Sequence, residues 1–266
     1  MKRLFAGAAP SIRPLRGLLR TGLAAMLLFA GPALAAGEEA PYLFKPDTAN
    51  QPSVQRGART YMNYCSGCHS LKYLRYNRIA RDLGIPEQLM PNLMFTGDKP
   101  GEPVKSAMPG PSGNPAAPSA SEQWFGRAPP DLTLTARERG ADWVYSYLMT
   151  FYLAPGRPTG VDNLVLPGAS MPHVLGDLQG YQAYEKPAEG EAHGGHAKPK
   201  FDLVVPGSLS PDDYKELVGD LVNFMVYAAE PGRNDRIALG PWVLMFTVIF
   251  GILAWLLKVE YWKDVH

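Results

Sequence analysis

Cysteine is scarce, with two in 266 residues, Cys65 and Cys68. A disulfide framework is therefore excluded as the source of stability, whatever the compartment. The same scarcity removes a zinc site of the two-pair kind, which needs further Cys or His ligands at close spacing. Internal repeats are also lacking, and residues 99–121 contain almost no large apolar side chain. Near the N-terminus the apolar run is too short to cross a bilayer. Neither basic nor acidic residues are in marked excess, the formal net charge being +1.

Glycine and proline are plentiful, at 27 and 26 residues. That composition predicts a loop-rich globule, of the kind a large covalent cofactor can organise. The two cysteines stand together with a histidine in Cys65-Ser66-Gly67-Cys68-His69, a C-x-x-C-H pattern. Two thiols three positions apart on one turn can reach the two vinyl groups of a haem edge. The adjacent imidazole then lies under the iron as its proximal ligand. A redox-active C-x-x-C would want a preceding buried strand, whereas residues 56–64 have a helical pattern. A disulfide within the pair would leave His69 unexplained.

Both ends of the chain carry targeting signals. Lys2, Arg3, Arg13, Arg16 and Arg20 precede an apolar stretch over residues 23–30, and Ala33-Leu34-Ala35 follows as a small-residue cleavage site. Residues 1–35 are thus expected to be a cleaved export segment, which suits covalent haem attachment on the exported side. Residues 237–257 are uncharged and, as a helix of about 31 Å, span a hydrocarbon core. Trp242, Trp255, Tyr261 and Trp262 are placed as interfacial anchors. Pro241 is expected in the first turn of that helix. The predicted organisation is an exported domain over residues 36–236, the span, and a cytoplasmic tail over residues 258–266. The exported part keeps 19 of the 26 basic and 23 of the 25 acidic residues once the two end segments are set aside. An acidic domain favours basic partners and argues against nucleic acid.

Within that domain, a helix capped by Ser53 is expected to run to Tyr64, with Gly57 crossed by a C-terminal helix. Tyr73, Tyr76 and Ile79 continue a helical pattern after the motif. Residues 91–130 form a long surface loop, which Trp124 and Phe125 return to the core. A helix is predicted over residues 134–152, and irregular chain over 155–172. Residues 185–200 are low in apolar groups, and His193 and His196 there are more simply solvated than metal-binding. Ser210 caps a strong helix with Pro211, Asp212 and Asp213 in its first turn and an apolar face of Leu217, Leu221, Phe224 and Met225.

The sixth iron position asks for a held methionine, or for a second histidine at lower potential. Met1, Met26 and Met245 fall in the end segments, Met62 on the proximal side, and Met149 and Met225 on apolar helix faces. Met90, Met94, Met108 and Met171 remain in loops. Met171, between Pro167 and Pro172, is the best placed, with His173 as its rival.

Five stretches in one order resemble the cytochrome c1 family. They are SVQRGARTYMNYCSGCHSLKYLRYNR, APPDLTLTARERGADWVYSYL, RPTGV, PGASMP and the AAEPGRNDR that leads into one C-terminal apolar segment. The resemblance implies a mainly α c-type cytochrome fold with long irregular loops and one C-terminal transmembrane helix. It implies one haem c on Cys65 and Cys68, with His69 and Met171 as iron ligands, Pro130 beside the haem, and Arg139 at a propionate. The chain is shorter than the family pattern between Arg139 and Trp143, so Arg137 is a candidate substitute. The implied role is electron relay in a bc1 complex (ubiquinol–cytochrome c oxidoreductase), with no acid–base chemistry of its own. Electrons would come from a Rieske iron–sulfur subunit beside cytochrome b and pass to a c-type cytochrome. The complex is expected to be dimeric, in a bacterial inner membrane with the haem domain in the periplasm. A free-standing anchored cytochrome would lack this order of motifs, and a peroxidase would need an open sixth position.

Overall fold

A computed structural model describes residues 40–185, apart from 95 and 98, and residues 199–265. The expected export segment, and residues 186–198 with His193 and His196, lie outside the described residues. Among the described residues helices dominate, accompanied by three two-stranded antiparallel ribbons.

Helix α1 (Gln51–Tyr64) begins before Ser53, because Asn50 is the cap and accepts from the Ser53 amide at 3.2 Å. Ser53 is instead buried, donating to the Asp220 carboxylate at 2.5 Å and accepting from Asn223 at 2.9 Å. After the motif, strand β1 (Leu71–Arg75) precedes α2 (Tyr76–Asp82), where a helical pattern was expected throughout. The strand wins because Leu71 pairs with Val104 of β2 (Pro103–Val104), and both side chains are fully buried. Tyr73 is consequently 66% exposed, whereas Tyr76 and Ile79 reach the core.

The long loop is thereby tied down through β2, after the short α3 (Met90–Leu93). It ends in α4 (Ala120–Phe125), and here Trp124 does not return to the core but is 65% exposed. Polar groups anchor α4 instead. Ser119 and Glu122 form a reciprocal capping box, and Ser121 donates to the Pro109 carbonyl at 2.5 Å.

The helix predicted over residues 134–152 is broken into α5 (Thr135–Glu138) and α6 (Ala141–Met149). Gly140 lies between them at φ +93°, a conformation outside the right-handed helix that L side chains rarely adopt. Chain beyond α6 extends into β3 (Phe151–Leu153), which pairs with β4 (Val161–Asn163) inside the stretch expected to be irregular. A one-turn α7 (Gly176–Gln179) leads into the hairpin of β5 (Gly180–Glu185) and β6 (Lys200–Pro206).

Helix α8 (Pro211–Ala229) starts as expected. Ser210 accepts from the Asp213 amide at 3.2 Å and donates to its carboxylate at 2.6 Å. It crosses α1 at Gly57, where a Cβ would lie 2.0 Å from the Asp220 carbonyl oxygen and 2.8 Å from Phe224 Cβ. That contact lets Val54, Ala58, Tyr61, Leu221 and Phe224 share one core. Arg56 closes the crossing from outside, reaching the Asp220 carboxylate at 2.5 and 3.0 Å.

Helix α9 (Arg233–Tyr261) has 29 residues, none buried, and is long and apolar enough to cross a membrane. It starts four residues ahead of the uncharged run, so Pro241 is interior rather than first-turn and removes one backbone bond there. Its start is pinned to the domain. The Thr48 hydroxyl donates to the Asn234 side chain at 2.8 Å, and the Asn234 amide returns to the Thr48 carbonyl at 3.0 Å.

Candidate haem-binding site

The C-x-x-C-H residues continue the winding of α1. Cys65 N–H donates to the Tyr61 carbonyl at 2.8 Å, and His69 N–H to the Cys65 carbonyl at 2.8 Å. The turn is held from two sides. Tyr61, at 0% exposure, donates its hydroxyl to the His69 carbonyl at 3.0 Å, and Leu132 N–H donates to the Ser70 carbonyl at 2.9 Å.

The second tie brings the Pro130 segment beneath the histidine. His69 Nδ1 lies 2.8 Å from the Pro130 carbonyl oxygen. A carbonyl can only accept, so Nδ1 carries the proton and Nε2 keeps a bare lone pair. Burial pushes the His69 pKa down, opposed by the Pro130 bond and the Asp131 charge, which keeps the ring neutral. A neutral imidazole oriented through its other nitrogen is the form that binds a metal.

Cys65 is buried and Cys68 partly so, and they form no disulfide. Burial drives the Cys65 pKa up to about 12 and raises that of Cys68. A redox-active or nucleophilic cysteine needs the opposite shift, so this pair does not have the electrostatics of a thioredoxin-type site.

Met171 lies on the loop after β4, partly buried. Tyr147 on α6 donates its hydroxyl to the Met171 sulfur at 3.4 Å. The loop is gathered by Asn163, fully buried, whose side-chain oxygen accepts from the Val165 and Leu166 amides at 2.9 and 3.1 Å. The Asn163 amide also donates to the Tyr147 carbonyl at 2.7 Å. Tyr147 and Asn163 were not singled out as site residues from the sequence. Tyr147 was legible only as an apolar-face residue, and Asn163 carries no local signal.

His173, the rival ligand, is stacked on Phe151 with ring centroids 5.0 Å apart and meets Tyr181 edge-on at 5.9 Å. Burial lowers its pKa to about 4. It is packed as part of an aromatic column.

The two arginines part company. Arg137 reaches the Glu230 carboxylate at 3.7 Å, at the end of α8. The Arg139 guanidinium lies 5.0 Å from the Trp143 ring centroid, and Trp143 stacks on Tyr147 at 5.2 Å and 6°. A continuous ladder therefore runs from Arg139 through Trp143 and Tyr147 to the Met171 sulfur.

The chemistry of these residues fits a covalent c-type haem: two thiols on one turn beside an imidazole whose Nε2 is bare, and on another loop a thioether held by a hydroxyl. A mainly helical chain with such a turn packed under a crossing helix has the build of a c-type cytochrome. Comparison with known proteins narrows this further. The cytochrome C1 family model matches residues 45–185. Cytochrome c1 of Allochromatium vinosum is 47% identical over 247 residues, covering 92% of this chain and 98% of that protein. The ammonia monooxygenase gamma subunit of Nitrosomonas europaea is 40% identical over 248 residues, covering 92% and 97%. Cytochrome c1 of Rhodospirillum rubrum is 28% identical over 275 residues, covering 91% and 95%. The chain belongs to the cytochrome c1 family, and membership implies a c-type haem and a part in electron transport.

Proposed function

We propose that the chain is the haem subunit of a bc1-type ubiquinol–cytochrome c oxidoreductase, anchored by α9. Cys65 and Cys68 would hold the haem through thioethers, and His69 Nε2 and the Met171 sulfur would ligate its iron. Bound there, haem would supply a one-electron couple, and Met171 as a ligand would favour a higher potential than a second histidine. The protein's own residues do the rest. Pro130 fixes the His69 tautomer, Tyr147 orients the Met171 sulfur, and Arg139, on the ladder through Trp143 and Tyr147 to Met171, would be the propionate partner, with Arg137 as the alternative. The His69–Pro130 bond is the observation that carries this reading, because it prepares one nitrogen for a metal.

The electron would enter from a Rieske iron–sulfur subunit working beside cytochrome b and leave to a soluble or anchored c-type cytochrome, in a dimeric complex. Residues 36–236 would face the periplasm of a bacterial inner membrane and residues 258–266 the cytoplasm. The name of the Nitrosomonas europaea relative supports a second reading, a subunit of an ammonia-oxidising assembly. Purification in mild detergent separates the two. A bc1 subunit co-purifies with b-type haems and is reduced by quinol, with reduction blocked when the iron–sulfur subunit is removed. Co-purification with ammonia-oxidising activity, without b haem or quinol-driven reduction, would overturn the proposal.

A further inference from the structure

Away from the haem turn, a cavity of about 510 Å³ opens between α2 and the start of α9, lined by Tyr73, Asn77, Arg75, Arg78, Arg81 and Pro231 among others. Three arginines line it, and the acidic groups near them do not cancel their charge. Arg78 ion-pairs with Asp82, and Arg81 reaches that same carboxylate at 3.4 Å, so a single acid is shared by two arginines. Arg75 donates to the Gly101 carbonyl and, among the described residues, pairs with no carboxylate. Glu230, next to Pro231, is occupied by Arg236 at 2.6 Å and by Arg137 at 3.7 Å. Lys72 adds a further cation, its Nζ 4.8 Å from the Tyr73 ring centroid.

The cavity's height is set by α9. Pro231 precedes Arg233, where α9 starts, and the uncharged run begins at Ile237. Four residues of helix rise about 6 Å, so Pro231, on the cavity wall, lies roughly 6–9 Å outside the hydrocarbon boundary, against a headgroup layer of about 5–8 Å on each side. The Thr48–Asn234 bonds keep the helix start from swinging away from the domain. Arginine matches phosphate oxygens with paired N–H donors.

We propose that this cavity binds the phosphate of an anionic phospholipid headgroup, with Arg75, Arg78 and Arg81 as donors. The inference rests on α9 being a membrane span, and the test keeps the two apart. Full-length haem-loaded protein is placed in nanodiscs of phosphatidylcholine with and without phosphatidylglycerol, then extracted, and the retained lipids are counted by native mass spectrometry. Insertion into pure phosphatidylcholine discs reports on the span alone. Phosphatidylglycerol should be retained preferentially, and Arg75→Gln with Arg81→Gln should lower that preference by about tenfold or more. Haem content of the double variant checks that it folds. No preference for phosphatidylglycerol, or a preference unchanged in the variant, would overturn the site. Outright displacement of the lipid by glycerol phosphate would show a site for soluble phosphoesters and overturn the lipid assignment.

Discussion

The Tyr147 hydroxyl donates to the Met171 sulfur across 3.4 Å, and the Asn163 side chain ties both the Tyr147 carbonyl and the loop leading to Met171. A thioether has two lone pairs, so the sulfur can accept this bond and still offer one to iron. With Met171 as the iron ligand, the hydroxyl would withdraw electron density from the sulfur and weaken its donation to ferric iron more than to ferrous.

Tyr147→Phe should therefore leave haem attached and lower the midpoint potential by roughly 20–40 mV, the equivalent of a net hydrogen bond of about 0.5–1 kcal/mol for one electron. Met171→Leu should lower it far more and change the ligand-field spectrum, while His173→Ala leaves the ligand set as it was. Redox titration of the three variants checks the order. A Tyr147→Phe potential equal to the parent's would show that the bond does not act on the iron.

The second prediction concerns the helix crossing. An added methyl on Gly57 meets backbone, the Asp220 carbonyl at 2.0 Å, which cannot rotate away. Gly57→Ala should force α1 and α8 apart and cost about 3 kcal/mol or more, at the upper end for overpacking. Gly219→Ala, on α8 itself, meets only the Phe44 ring at 3.2 Å. That ring can give a few tenths of an ångström, so the change should be near neutral, helped by the better helix propensity of alanine. Thermal unfolding of both variants with haem attached tests the contrast, and equal losses would show the crossing to be more pliable than its geometry.

Gly57 also marks what could be read without coordinates. A glycine inside a strong helix pattern predicts a close neighbour, and the Ser210 cap predicts the neighbour's start, because both signals are local. The turn over Cys65–His69 was legible for the same reason, being written in five adjacent residues. What escaped depends on distant pairing. Tyr73 faces water because Leu71 finds Val104 more than thirty positions on, and Trp124 does so because polar caps, not aromatics, hold α4. The helix over residues 134–152 was overextended because its apolar spacing runs through Gly140, whose positive φ is invisible to a periodicity. Asn163 had no signal at all, since its role is to bond backbone groups that meet only in the fold.

The last prediction separates the domain from its anchor. Cutting the chain after Arg236 removes most of α9 but keeps the first turn that holds it, since Asn234 and Arg233 are the residues bonded to Thr48. Arg236 keeps its pairing with Glu230 at 2.6 Å, and no residue of α9 is buried. Nothing that packs the haem turn, the Met171 loop or the α1–α8 crossing is lost. The fragment should therefore be exported as a soluble protein with covalent haem and the parent's potential. Quinol-driven reduction should fall steeply when the oxidised fragment is mixed with the remaining complex, because a tethered encounter becomes a bimolecular one. Optical spectra of fragment and parent, recorded during quinol addition, measure both parts. Reduction as fast as in the anchored protein would show that α9 does not position the domain, and an insoluble fragment without haem would show that the domain needs its helix to fold.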